Sequence, residues 1–260
     1  DGTAEVFGQA FAATAMSGVV LSLPTQQVNT ELQIRDGFLI TAAFWIVLSL
    51  YGSLPFLLSD AIEVSVFGAI FESVSGLTTT GATVLAGLDT LPESILFYRQ
   101  LLQWLGGIGI IVLAVAVLPM LGIGGVQLYR AESTGPAKDS KLTPRITSTA
   151  KALFSIYLGL TIACAAAYYL AGMSAFDAIS HAFSTIAIGG FSTHDASMGY
   201  FQSDVILLIA CLFMLISAVN FGLHFVAFSK RNPGIYRFDS ETKFFSGVLL
   251  ISTIVTCITL

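Results

Sequence analysis

Apolar residues run along this chain in long unbroken stretches, not in the alternating or every-third-residue pattern of a wetted domain. Six such stretches stand out, at 4–23, 37–58, 100–128, 152–173, 205–228 and 244–260. At ~1.5 Å per residue, about 20 residues cross a hydrocarbon core, so these are candidate transmembrane helices. The first, which contains Glu5, is the weakest. The four between 37 and 228 carry no charged residue, and 244–260 opens a further span. Two shorter stretches break the pattern: 61–77 with Glu63 and Glu72, and 175–186 with Asp177 and His181. Both are too short or too polar to face lipid, and the spacing predicts half-helices.

Each half-helix runs into a small, glycine-containing tract, Thr78-Thr79-Thr80-Gly81-Ala82-Thr83 and Ala187-Ile188-Gly189-Gly190-Phe191-Ser192-Thr193, and then into a long span. This is an internal repeat. At an offset of 109, Phe67 meets Phe176, Ala69 meets Ala178, Ile70 meets Ile179, Ser75 meets Ser184 and Gly81 meets Gly190. The predicted layout is an N-terminal accessory helix and loop (1–36), a first span–pore-loop–span repeat (37–128), a linker (129–151), a second repeat (152–228), a second linker (229–243) and the start of a third repeat (244–260).

Composition narrows the class. Of the 260 residues, 55 % are hydrophobic and only 10 % charged, with a mean hydropathy of +0.84. A soluble domain carries about a quarter charged residues, so a cytosolic enzyme, a disordered chain and a secreted disulfide scaffold are excluded. An all-α membrane protein of about six to nine spans remains. Cys164, Cys211 and Cys257 all fall in apolar stretches and read as packing residues. There is no metal-ligand spacing, no nucleophile–base pair and no basic run that would fit nucleic acid.

Charge placement sets the orientation. Nine of the eleven Lys and Arg residues lie in the linkers 129–151 and 229–243, which the positive-inside rule places in the cytoplasm. Residues 59–99 and 174–204 then open outward with eight acids (Asp60, Glu63, Glu72, Asp89, Glu93, Asp177, Asp195, Asp204) and one base, Arg99. Negative potential at the mouths of the two tracts favours cations. Non-helical backbone inside a membrane persists only where it is buried in protein or lines water, and carbonyl rows that replace an ion's hydration shell are its standard use. Gly81 and Gly190 permit the positive φ that turns successive carbonyls toward one axis.

The tract TTTGATV at 78–84, QWLGGIGI at 103–110 and AIGGFSTHD at 187–195, in this order, resemble the Trk/Ktr/HKT superfamily of potassium transporters, most closely its TrkH-like branch. That resemblance implies four span–pore-loop–span repeats with pseudo-fourfold symmetry around one central ion pore. It implies K⁺ held by backbone carbonyls of Thr78, Thr79, Thr80 and Gly81 from the first strand and of Ala187, Ile188, Gly189 and Gly190 from the second. The second strand has Ile188-Gly189 where the first has Thr79-Thr80, so either Gly189 or Gly190 serves as its key glycine; the repeat alignment pairs Gly190 with Gly81. The resemblance also implies potassium uptake gated from the cytoplasmic side, a homodimer, a cytoplasmic TrkA-like nucleotide-binding regulatory ring, and a multi-pass place in the bacterial inner membrane. On this reading the chain is part of a longer protein, with a helix before Asp1 and two more repeats after it. A secondary transporter that uses broken helices to couple Na⁺ or H⁺ to a small solute is the alternative.

Plainer readings stand beside these. Thr78–Gly81 also reads as a polar helix C-cap. Gly106, Gly107 and Gly109 read as close helix packing, and Gly122–Gly125 after Pro119 as a kinked helix end. His181 reads as a buried hydrogen-bonder, His194-Asp195 as a pair that orders its loop, and Glu72 as a partner for amides behind the first tract. Asn220 faces either the pore or a neighbouring helix.

Overall fold

A computed structural model of the chain describes residues 3–25, 34–112 and 142–259. The described residues form ten α-helices: α1 (Thr3–Ser22), α2 (Ile34–Gly52), α3 (Leu54–Leu58), α4 (Val66–Leu77), α5 (Glu93–Val112), α6 (Leu142–Leu170), α7 (Ala175–Ala187), α8 (Asp204–Ala218), α9 (Phe221–Lys230) and α10 (Ser240–Thr259). Among the described residues, four helical stretches are long and apolar enough to cross a membrane: Thr3–Ser22, Leu39–Leu58, Ala150–Leu170 and Ser240–Thr259. Pro119, Gly122–Gly125 and most of the first basic linker lie outside the described residues. Within that linker, α6 begins at Leu142; Pro144 falls in its first turn, where a missing N–H costs nothing.

The stretch 205–228 is not one straight span as its composition suggests. It divides at Val219-Asn220 into α8 and α9, which meet at 88°. The break has a local cause. Asn220 Oδ1 accepts from Gly222 N at 2.8 Å, making it the N-cap of α9. His224 Nε2 lies 2.9 Å from the Ile216 carbonyl and Nδ1 lies 2.8 Å from the Tyr236 hydroxyl. The broken end of α8 thus keeps a hydrogen-bond partner. Asn220 belongs to the break, and its amide lies 3.4 Å from Glu241 at the start of α10.

The core lies on both sides of α5, which packs against α4, α6 and α7. On one side Phe56, Ala69, Leu77, Ile95 and Leu102 are buried together. On the other, Tyr157, Cys164, Tyr168, Ala182 and Ile186 form the centre of a larger cluster. Trp104 stacks on Phe183 at 5.1 Å and donates its indole N–H to Thr161 at 3.0 Å. Glycines let α5 approach its neighbours closely, as the packing reading holds. A Cβ on Gly106 would lie 2.0 Å from the Leu77 carbonyl oxygen, and one on Gly107 2.5 Å from the Tyr157 hydroxyl. This contact seats the C-terminal end of α4 directly on α5.

Candidate functional site

Two short helices aim at the same place. α4 has 12 residues and α7 has 13, so each is ~18–20 Å long, well short of the ~30 Å hydrocarbon core. Both begin on a serine N-cap: Ser65 accepts from Gly68 N at 3.1 Å and Ser174 from Asp177 N at 3.0 Å. Both also end alike. Thr80 N donates to Ser75 O at 2.9 Å, and Gly189 N donates to Ser184 O at 2.8 Å. These closures place Thr79 at φ 54° and Ile188 at φ 53°. A β-branched residue in the left-handed region costs ~1–3 kcal/mol. Its recurrence at positions 109 apart marks the conformation as built in.

Gly81 (φ 76°) and Gly190 (φ 84°) follow two residues later, so positive φ recurs at alternate residues in both tracts. The tracts lie side by side: a Cβ on Gly81 would sit 2.0 Å from the Gly189 carbonyl oxygen, and one on Gly190 would lie 3.9 Å from Gly81 Cα. The Thr78 hydroxyl is used locally, on Val74 O at 2.7 Å and Thr80 Oγ1 at 2.8 Å. Among the described residues, nothing donates to the carbonyls of Thr78, Thr79, Thr80, Gly81, Ala187, Ile188 or Gly190. The Gly189 carbonyl differs, for it accepts from Gln103 Nε2 at 2.7 Å.

Behind the tracts sits a buried polar frame. Glu72 and Arg99 are 0 % and 1 % exposed and meet at 2.7 Å. Glu72 also accepts from the Thr83 hydroxyl at 2.9 Å and from Val84 N at 3.1 Å. Arg99 donates to Thr83 Oγ1 at 3.1 Å and to the Ser192 carbonyl at 3.0 Å, and its guanidinium lies 4.4 Å from the centre of the Phe191 ring. His181, the counterpart of Glu72 in the second copy, holds Ser192, the counterpart of Thr83, at 2.9 Å. Its Nδ1 faces the Asp177 carbonyl at 2.9 Å. A carbonyl only accepts, so Nδ1 carries the proton and a neutral ring takes the Ser192 proton on Nε2.

Outside this frame, His194 Nδ1 bonds Asp89 and its Nε2 lies 3.3 Å from Asp177 Oδ1. Asp195 accepts from Gly87 N at 3.0 Å. The hydrogen bond from His194 holds the Asp89 carboxyl below its ordinary range. His194 and Asp195 therefore tie one tract's outer loop to the other's, rather than ordering only their own.

A family model described as a cation transport protein, TrkH, matches residues 3–260 of the chain. The chain belongs to the TrkH family. Among curated TrkH proteins, the Trk system potassium uptake protein TrkH of Halomonas elongata is 57 % identical over 258 residues, covering 98 % of this chain and 54 % of that protein. Its counterpart in Escherichia coli K12 is 56 % identical over 248 residues, covering 95 % of this chain and 51 % of its own length. The crystal structure of the potassium transporter TrkH from Vibrio parahaemolyticus superposes with a TM-score of 0.86 at 55 % identity, covering 98 % of this chain and 52 % of that one. The chain spans about half the length of the curated TrkH relatives it matches.

Two members of the site escape sequence reasoning. Arg99 counts there only as a lone base among outer acids, and Gln103 only as part of a motif. A signal for both existed, since a charged or amide side chain within an apolar helix calls for a buried partner.

Proposed function

We propose that this chain supplies part of a potassium-uptake pathway, in which K⁺ passes along backbone carbonyls of Thr78, Thr79, Thr80 and Gly81 and of Ala187, Ile188 and Gly190, with the Gly189 carbonyl turned to Gln103. The observation that carries this reading is the row of carbonyls without donors in two matched tracts, each at the C-terminal, partly negative end of a half-helix. Backbone of this kind at membrane depth needs water or a cation beside it. The Thr78 and Thr80 hydroxyls are engaged locally, which supports carbonyls over side chains as ligands. The matched φ pairs at 79/188 and 81/190 favour Gly190 over Gly189 as the second key glycine.

The wider proposals follow the relatives, named as Trk system potassium uptake proteins. The span–pore-loop–span layout with boundaries at 37–128 and 152–228 is one quadrant pair of a pseudo-fourfold pore. The basic linkers face the cytoplasm, where gating and a TrkA-like nucleotide-binding ring act. The assembly is a homodimer in the bacterial inner membrane. K⁺ is its cargo. The deciding experiment is K⁺ uptake by the full-length protein in liposomes with Na⁺ and Rb⁺ competition. K⁺ uptake that resists excess Na⁺ is expected; uptake indifferent to which of the three ions is present would sink the carbonyl-filter reading.

A further inference from the structure

Gln103 lies on α5, one helical turn after Arg99, and is 0 % exposed. Its amide makes two bonds to one short piece of backbone from a distant part of the chain. Nε2 donates to Gly189 O at 2.7 Å, and Oε1 accepts from Phe191 N at 3.1 Å. The backbone partners settle the orientation of the amide, since a carbonyl needs a donor and an N–H needs an acceptor. The two bonds straddle Gly190 and hold the peptide units on either side of it.

This has a geometric result. In a trans peptide the N–H and C=O point in opposite directions. With the Phe191 N–H drawn to α5, the Gly190 carbonyl in the same peptide unit faces away from α5. With the Gly189 carbonyl also drawn to α5, that oxygen leaves the ion row. The fit leaves no slack, because a Cβ on Gly189 would lie 2.3 Å from the Gln103 amide carbon. One turn earlier, Arg99 fixes the Ser192 carbonyl at 3.0 Å. The residue 109 positions after Gln103 is Leu212, which has no hydrogen-bonding side chain, so the clamp is not repeated in the second copy.

We infer that Gln103 is a specificity-determining positioning residue, which sets the direction of the Gly190 carbonyl and thereby the preference for K⁺ over Na⁺. It touches no ion and acts through the backbone it holds. The inference rests on the carbonyl-filter reading above. It is tested in the full-length transporter with Gln103→Met, which keeps the side-chain length and removes both bonds, and with Gln103→Glu, which keeps an acceptor for Phe191 N. In Gln103→Met the K⁺/Na⁺ uptake ratio should fall about tenfold. The apparent KM for K⁺ should rise while the maximal rate stays within about twofold. Gln103→Glu should lie between Gln103→Met and the unaltered protein. A merely structural residue would instead lower the maximal rate and the amount of folded protein and leave the ratio alone; that outcome overturns the inference. If Gln103→Met does not accumulate, an unchanged ratio in Gln103→Glu overturns it equally. Gly190→Ser in parallel separates the two claims. If Gly190→Ser also leaves the ratio intact, the filter reading fails; if only Gly190→Ser lowers it, the role of Gln103 alone fails.

Discussion

Thr83 is held by Glu72, eleven residues back on its own half-helix, and by Arg99, sixteen residues on, whereas its counterpart Ser192 is held by the neutral His181 on its own half-helix and by the same Arg99 from 93 residues back. The first tract is held by a buried ion pair, and the second by neutral groups of its own plus two side chains lent by α5. The backbones agree closely all the same, with φ 54° and 76° in one and 53° and 84° in the other. What must be kept is the carbonyl geometry, and different side chains can secure it. A duplicated unit thus diverges first in its supports.

Substituting the paired glycines should give the largest effect. Gly81→Ser must adopt positive φ, at ~1–2 kcal/mol, and also meets a backbone oxygen 2.0 Å away that cannot swing aside. Gly190→Ser bears the φ cost, but its new Cβ would lie 3.9 Å from Gly81 Cα, an ordinary contact. The K⁺/Na⁺ uptake ratio should therefore fall more than about tenfold in Gly81→Ser and by less in Gly190→Ser. Equal losses would mean the tracts do not lie side by side as described.

Next come the supports. Arg99→Met strands the Glu72 carboxylate in a buried site and should cost about 3–5 kcal/mol of stability. His181→Phe removes neutral hydrogen bonds and should cost about 1–3 kcal/mol. Thermal unfolding of the purified proteins in detergent would rank them; an equal loss would show that the two mounts are energetically alike, and a larger loss for His181→Phe would reverse the ranking.

The smallest effect is expected at the outer tie. Asp89 has a lowered pKa in the folded protein, so its contribution to stability is present above the ordinary carboxylate value of 3.8 and is lost as pH falls through the lowered one. Asp89→Asn should lower stability slightly near neutrality, where the Asp89 contribution is present, and flatten the stability profile in that acid window. An acid slope left as steep as before would assign the effect to another group.

Much of this was legible in the residues. The half-helices appear where short, polar-marked apolar stretches end in glycine tracts, and the offset of 109 alone pairs Gly81 with Gly190. The glycines of α5, read as close helix packing, fare similarly well. What stayed hidden is long-range. Arg99 meets Ser192 across 93 residues and Gln103 meets Gly189 across 86, and hydrophobic periodicity carries no information about such partners. The break at Asn220 was hidden for another reason. Its Asn-x-Gly cap signal lies inside an uncharged run, where apolar composition outweighs a single capping residue in any reading by stretches.

Because Arg99 and Gln103 stand on α5, the order of synthesis matters. Residues 189–192 leave the ribosome some ninety residues after the helix that shapes them, and segments that emerge first settle first. The second tract is therefore born into a mould already in place. The first closes over a shorter length, with Glu72 eleven residues before Thr83 and Arg99 sixteen after it. Exchanging the two copies along the chain would leave their sequences untouched and deprive the later-acting clamp of its head start.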